Sequence, residues 1–351
     1  MDKSYQCENC GSRMIFDAKS QTLQCESCGH QILIINDSSK VVEHKLTRDK
    51  LAGLRPDPGR KTSTMECRGC GAKIEVDADC TAGDCPYCGN VYVLAQKQEE
   101  VLPPDGIVPF KVDYKQVGEI FRNWLEKRKF APNALKSLYQ SGKLSGMYLP
   151  YWTFDAKARA YYTAQGGKNR TEQRRGSDGK MHTVTHTDWF MTSGTITHNF
   201  DDVLVRATEH MDLALLDNVE SFGTTKAASW SPDYFAGYRA ECYTKPLESG
   251  HQDAQRQMER RLEADARQDV LSRFDAVKDL KVSPSFMNET YKYLMLPVYT
   301  TSYQYGNETY HVVINGETGA IAGSYPKSPV KIILFILAII VIILLIIVMT
   351  H

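Results

Sequence analysis

The chain has 351 residues with 42 basic and 42 acidic side chains, so its formal net charge is zero. That balance argues against a general nucleic-acid binder, which usually needs a basic face, and the length allows one sizeable domain plus small modules. The opening MDKSYQCENC holds no apolar run, so no secretory leader is expected; of the ten cysteines, eight fall in Cys-x-x-Cys pairs, which in a reducing compartment points to metal rather than disulfides.

The first pairs are Cys7/Cys10 and Cys25/Cys28; the second are Cys67/Cys70 and Cys85/Cys88. In both modules 14 residues separate the pairs, and the modules are offset by 60 residues (67 − 7), an internal repeat. A glycine follows the second cysteine of every pair (Gly11, Gly29, Gly71, Gly89), which suits a knuckle needing positive φ. Two knuckles on a short hairpin make a tetrahedral four-thiolate site, so the expectation is two structural Zn2+ sites in ribbons spanning 1–36 and 64–96. All four ligand places are filled, leaving none open for catalysis. His30 and Cys80 lie nearby as spares, and Cys242 reads as a small buried hydrophobe.

Residues 37–63 read as a linker, with Pro56-Asp57-Pro58-Gly59 as its breaker. A second linker holds Pro103-Pro104. The α+β body is expected over 105–325. Asp113 reads as an N-cap, and Val117, Ile120, Phe121, Trp124 and Leu125 follow at helical spacing, ending before Pro132. Leu149-Pro150-Tyr151-Trp152-Thr153 and Leu296-Pro297-Val298-Tyr299-Thr300 share a Leu-Pro-x-aromatic-Thr pattern, which suggests an internal duplication or two equivalent strand entries in one sheet. Gln165 to Lys180 is expected as a mobile polar hairpin tip. Strands are expected over 182–187 and 188–206, a short helix over 209–217, and a long charged helix over 252–280 with Met258, Leu262, Ala266, Val270, Phe274 and Val277 as its stripe. The last strands are expected over 292–305 and 309–315, with Asn315-Gly316 as a turn.

Ile332 to Met349 is 18 consecutive apolar residues. As a helix it is about 27 Å long, close to a bilayer's hydrocarbon thickness. Lys327 and Lys331 precede it, so the expectation is a tail-anchored, single-pass protein of the cell membrane with its N-terminal part in the cytoplasm.

The cysteine modules with IVPF, YLPYWTFDA, SGTITHNFDDVLV, SPDYFAGYRAECY, LMLPVY and INGETGAIAGSYPKS carry a family resemblance. Over nearly its whole length the chain resembles the bacterial TFIIB-type zinc-ribbon membrane proteins, the YdjG-like group; the duplicated ribbon departs from the single ribbon expected in many relatives. The resemblance implies a link to phage-shock-type coiled-coil proteins and SPFH (flotillin-like) proteins in envelope stress. It supplies no catalytic residues.

No H-E-x-x-H, phosphate-binding loop, G-x-S-x-G or G-x-G-x-x-G is present, so no enzyme is expected. The expected function is a membrane-bound zinc-ribbon adaptor that recruits protein partners. The alternatives are a membrane-tethered nucleic-acid-binding regulator, and an enzyme in the body with candidates at His198-Asn199-Phe200-Asp201-Asp202.

Overall fold

The computed structural model describes residues 5–35, 41–53, 62–66, 73–77, 80–84, 91–93, 102–132, 144–175, 181–208, 213–306 and 308–350. In chain order, β1 (Met14–Asp17), β2 (Thr22–Cys25) and β3 (Gln31–Leu33) form a small antiparallel sheet. β4 (His44–Lys45) and α1 (Arg48–Gly53) follow. β5 (Thr62–Glu66) pairs with β6 (Lys73–Asp77), and β7 (Cys80–Asp84) with β8 (Val91–Val93). The body contains β9 (Gly106–Ile107), α2 (Tyr114–Glu126), β10 (Ser145–Arg175), β11 (Met181–Arg206), α3 (Leu213–Asp217) and β12 (Ala228–Ser229). It continues with β13 (Arg239–Glu241), α4 (Leu247–Leu271), β14 (Ala276–Tyr305), β15 (Glu308–Asn315) and β16 (Ile321–Gly323). The chain closes with α5 (Pro329–Thr350). The fold class is mixed α+β, built on one large sheet ordered β12-β9-β14-β10-β13-β7-β8, with β11 beside β10 and β15 beside β14.

α2 starts where the sequence places it. The Asp113 carboxylate accepts from the Gln116 amide, and Gln116 returns a bond to the Asp113 N–H, a reciprocal capping box. Val117, Phe121, Trp124 and Leu125 face the core.

The two Leu-Pro motifs pair antiparallel at the centre of the sheet, with Leu149 opposite Leu296. Around them the body repeats itself. Met147 and Tyr148 pair in parallel with Arg239 and Ala240 of β13, while Leu294 and Met295 pair in parallel with Gly106 and Ile107 of β9. The Pro150 carbonyl accepts from Ala207, just past the end of β11; the Pro297 carbonyl accepts from Gly316, just past the end of β15. Each proline's missing N–H therefore faces the point where the outer ladder has run out, the place where a sheet tolerates proline. Thr244 and Lys245 donate to the Ala207 carbonyl as Lys111 and Val112 donate to that of Gly316. Trp152 Nε1 donates to the Lys245 carbonyl and Tyr299 OH to that of Val112. The body is thus two strand–helix–hairpin units, β9-α2-β10-β11 and β13-α4-β14-β15, each lending its short strand to the other's long one.

The distal parts of β10, β11 and β14 form a three-stranded arm. One face carries Ala158, Ala160, Tyr162 and Ala164 against Leu262, Ala266 and Val270 of α4; the alanines let the helix lie close.

Several expectations change. The segment 165–180 is no loose tip as far as Arg175, because its residues stay in register with β11. The strands expected over 182–187 and 188–206 are one. The charged helix runs over 247–271 rather than 252–280, since Asp275 N donates to the Gly167 carbonyl and Val277 pairs with Gly166, drawing the chain into the sheet. Phe274 and Val277 still pack on the arm, from a turn and a strand. The expected linker 37–63 is ordered over 41–53: His44 and Lys45 pair with Tyr291 and Thr290.

Candidate metal centre

Cys7, Cys10, Cys25 and Cys28 come together at two matching knuckles. Gly11 N donates to the Cys7 carbonyl and Gly29 N to that of Cys25, with φ of 72° and 73° at the two glycines, values that a Cβ would strain. Cys7 Sγ lies 3.6 Å from Cys28 Sγ and Cys10 Sγ 3.5 Å from Cys25 Sγ; all four sulfurs lie within 4.8 Å of one another. A tetrahedral zinc thiolate has sulfur–sulfur edges of about 3.8 Å, from a bond near 2.3 Å, so this four-cysteine group is close enough to hold a metal ion. Its electrostatics ask for a cation. The Ser12 hydroxyl draws the Cys10 thiol down to about 6; the His30 backbone pulls Cys28 down, but its three neighbouring thiols push it up to about 12. Four adjacent sulfurs cannot all ionise without a positive charge among them.

The unit is not a free bead. Phe16 is buried against Tyr234, with ring centroids 5.1 Å apart, and its N–H donates to the Ala236 carbonyl. Gln21 Nε2 donates to the Phe110 carbonyl at 2.7 Å, and Tyr5 OH to Asp233.

Cys67, Cys70, Cys85 and Cys88 lie outside the described residues. Of the second module, β7 joins the large sheet: Ala82 pairs with Ala240 and Cys80 with Glu241. Cys242 is buried.

The stretch 198–202 does not converge on one site. His198 Nδ1 lies 2.9 Å from Asp265 of α4, and Phe200 packs on the arm. Asp202 has φ 52° and sits 2.6 Å from the Lys292 ammonium. Its N–H donates to Asp155, whose other oxygen accepts from Thr290. Burial pushes the Asp155 carboxyl up, while Asp202, Asp155 and Glu43 hold Lys292 above its ordinary value against its own burial. Asp155, Asp201 and Asp202 bring three carboxylates together, with Lys292 already neutralising one. Sequence reading named Asp201 and Asp202 but missed Asp155 and Lys292, which stand 137 residues apart (292 − 155) and meet only once β10 and β14 pair. Two further histidines are paired, His44 with Asp105 at 2.6 Å and His251 with Glu289 at 2.7 Å.

α5 is long and apolar enough to cross a membrane. It is tied to the body: Ser328 N donates to the Phe130 carbonyl, Lys331 Nζ to that of Ala131 at 2.6 Å, and Phe130 packs edge-on to Phe335.

No family model matches the chain, and no solved structure matches it. The "Uncharacterized protein YdjG" of Bacillus subtilis (strain 168) is similar, at 28% identity over 332 residues, which covers 94% of this chain and 92% of that one. The likeness supports a YdjG-like grouping loosely and leaves the zinc-ribbon description without support of its own.

Proposed function

We propose that the chain is a tail-anchored scaffold whose zinc-bearing modules and body face the cytosol and recruit protein partners to the membrane. The observation that carries this reading is continuity: the four-cysteine unit packs on the body through Phe16 and Gln21, and the body grips the start of α5 through Phe130 and Lys331. A closed thiolate site offers a metal no place for substrate, so its role is to hold a surface in shape. Zinc in the second module and a role in envelope stress belong to the same proposal, the latter through the resemblance to YdjG-like proteins. The resemblance also names the partner classes, a phage-shock-type coiled-coil protein and a flotillin-like protein.

The test is capture of partners from gently solubilised membranes, read by mass spectrometry with zinc analysis. Full-length protein should retain a coiled-coil or flotillin-like partner; Cys25→Ser and a chain ending at Pro329 should each lose it. Full-length protein that holds zinc but no protein partner overturns the reading.

One observation favours the nucleic-acid alternative. Lys157, Arg159 and Lys281 are exposed on one face of the arm, and among the described residues none of the three has a carboxylate partner. Binding to a single-stranded oligonucleotide that falls steeply with salt would support it; no binding at low salt removes it.

A further inference from the structure

The outer edge of β11 is long and unguarded. Among the described residues β11 has β10 as its only strand neighbour. Sheet edges in soluble proteins are blunted by proline, lysine or bulges, since their unpaired amides and carbonyls template another strand. The arm's opposite edge, on β14, carries such devices: Pro284, the exposed Lys281, and left-handed residues at Asp279 and Asn288, both with φ 54°. From His182 to His198, β11 has no Pro, Lys or Arg, and its one carboxylate, Asp188, is paired with Arg170. Trp189, Phe190 and Met191 stand exposed in the middle of this stretch, by 38%, 49% and 75%.

The sequence of this edge reads nearly the same in both directions. In HTVTHTDWFMTSGTITH, centred on Phe190, His182 mirrors His198, Thr183 mirrors Thr197, Val184 mirrors Ile196 and Thr185 mirrors Thr195. An antiparallel strand pair related by a two-fold axis joins residue i to residue 380 − i, and so places each of these opposite its mirror image. β-branched side chains then meet β-branched ones and Phe190 meets itself, the pairing that stabilises adjacent strands. An even sum keeps every residue facing a residue on its own side of the sheet, so Phe190, stacked on Phe274, and Ile196 stay on the α4 side in both copies. A slip of one residue would reverse the faces.

We propose that β11 is a self-association edge, where two copies of this chain pair antiparallel about Phe190 into a continuous six-stranded arm. The matched 17 residues span about 56 Å at 3.3 Å each, and the interface is isologous, as a closed dimer requires.

The test uses full-length protein in detergent micelles, with protein mass measured by light scattering during size exclusion. Thr185 and Thr195 are both exposed and face each other across the two-fold axis. Thr185→Lys with Thr195→Lys sets like charges opposite at two places and is expected to weaken the dimer at least about tenfold. Thr185→Lys with Thr195→Glu sets opposite charges there and is expected to restore it. A dimeric parent, a dissociated Lys/Lys variant and a dimeric Lys/Glu variant support the proposal. A monomeric parent at micromolar concentration, or two variants of indistinguishable mass, overturns it.

Discussion

Lys292 lies buried on β14, its ammonium 2.6 Å from Asp202 Oδ1 and 3.2 Å from Glu43 Oε1. The Asp202 side chain is buried too, on a left-handed backbone that turns its N–H onto Asp155. Such a pair adds little net stability over an apolar one, but removing one member strands the other charge out of water. Lys292→Ala is therefore expected to cost about 3–5 kcal/mol in chemical denaturation, and adding Asp202→Asn should recover part of it; a double variant that loses as much as the two single variants together would show the pair is not coupled. The pH senses differ. The Lys292 value is raised in the fold, so its contribution is present below the unfolded value of 10.5 and is lost as pH rises through the raised folded one. Asp155 is raised from 3.8 by burial, so folding favours its protonated form; the stability tied to it is present in acid and fades as pH rises through the raised value. Asp155→Asn is expected to flatten the stability profile above the unfolded value of 3.8, measured as denaturation midpoint against pH.

The repeated units explain why one position demands glycine. Gly316 and Ala207 hold equivalent places after the outer strands, yet an added Cβ at Gly316 would press into the buried Phe110 ring and come within 2.9 Å of Pro297 Cβ. The demand is for space, since its φ is not in the left-handed region. Gly316→Ala is expected to destabilise by about 1–3 kcal/mol through overpacking. Tyr299→Phe, which removes the hydroxyl's bonds to the Val112 carbonyl and to Tyr238 but leaves the packing in place, is expected to cost about 0.5–1.5 kcal/mol. Equal losses in the two variants' melting curves would argue against the packing account. The Leu-Pro repeat was legible in the sequence because it is a local pattern, as were the cysteine spacing and the Asp113 cap. The arm was not: residues 165–175 are polar and glycine-containing, and they are held extended by pairing with β11 and, as far as Gly167, with β14. The end of α4 was hidden for a related reason. Phe274 and Val277 continue the helical spacing of Val270, but ladder bonds at Gly166 and Gly167 outweigh it. The order of 41–53 rests on His44 meeting Asp105 and Tyr291, partners remote in the chain.

At the scale of the molecule, what matters is which parts melt or move together. α5 has apolar side chains exposed along its length, such as Phe335 and Leu345, and this surface needs lipid or another cover. A chain ending at Pro329 is expected to leave the membrane fraction while keeping the circular dichroism of the body; persistence in washed membranes would place the attachment elsewhere. The four-cysteine unit poses the sharper question. A unit this small has too little core to fold without a metal at its four-cysteine group, and the spacing alone suggests an independent module. The contacts say otherwise: Phe16 is enclosed by Tyr234 and Tyr238, with ring centroids 5.1 and 6.3 Å away, and a Cβ at the left-handed Gly237 would strike Ile15. Loss of the metal should therefore expose the Tyr234–Tyr238 surface of the body as well. With zinc in this group, as proposed, Cys25→Ser is expected to abolish one zinc equivalent and to lower the main melting transition by roughly 5–10 °C, since each 1 kcal/mol moves a domain of this size by about 2–4 °C. Lowering the pH should release the metal in the parent protein, as protons compete for the thiolates, and should bring the same shift. A separate small transition with the main one unmoved would mean that the unit, though docked, adds nothing to the body's stability.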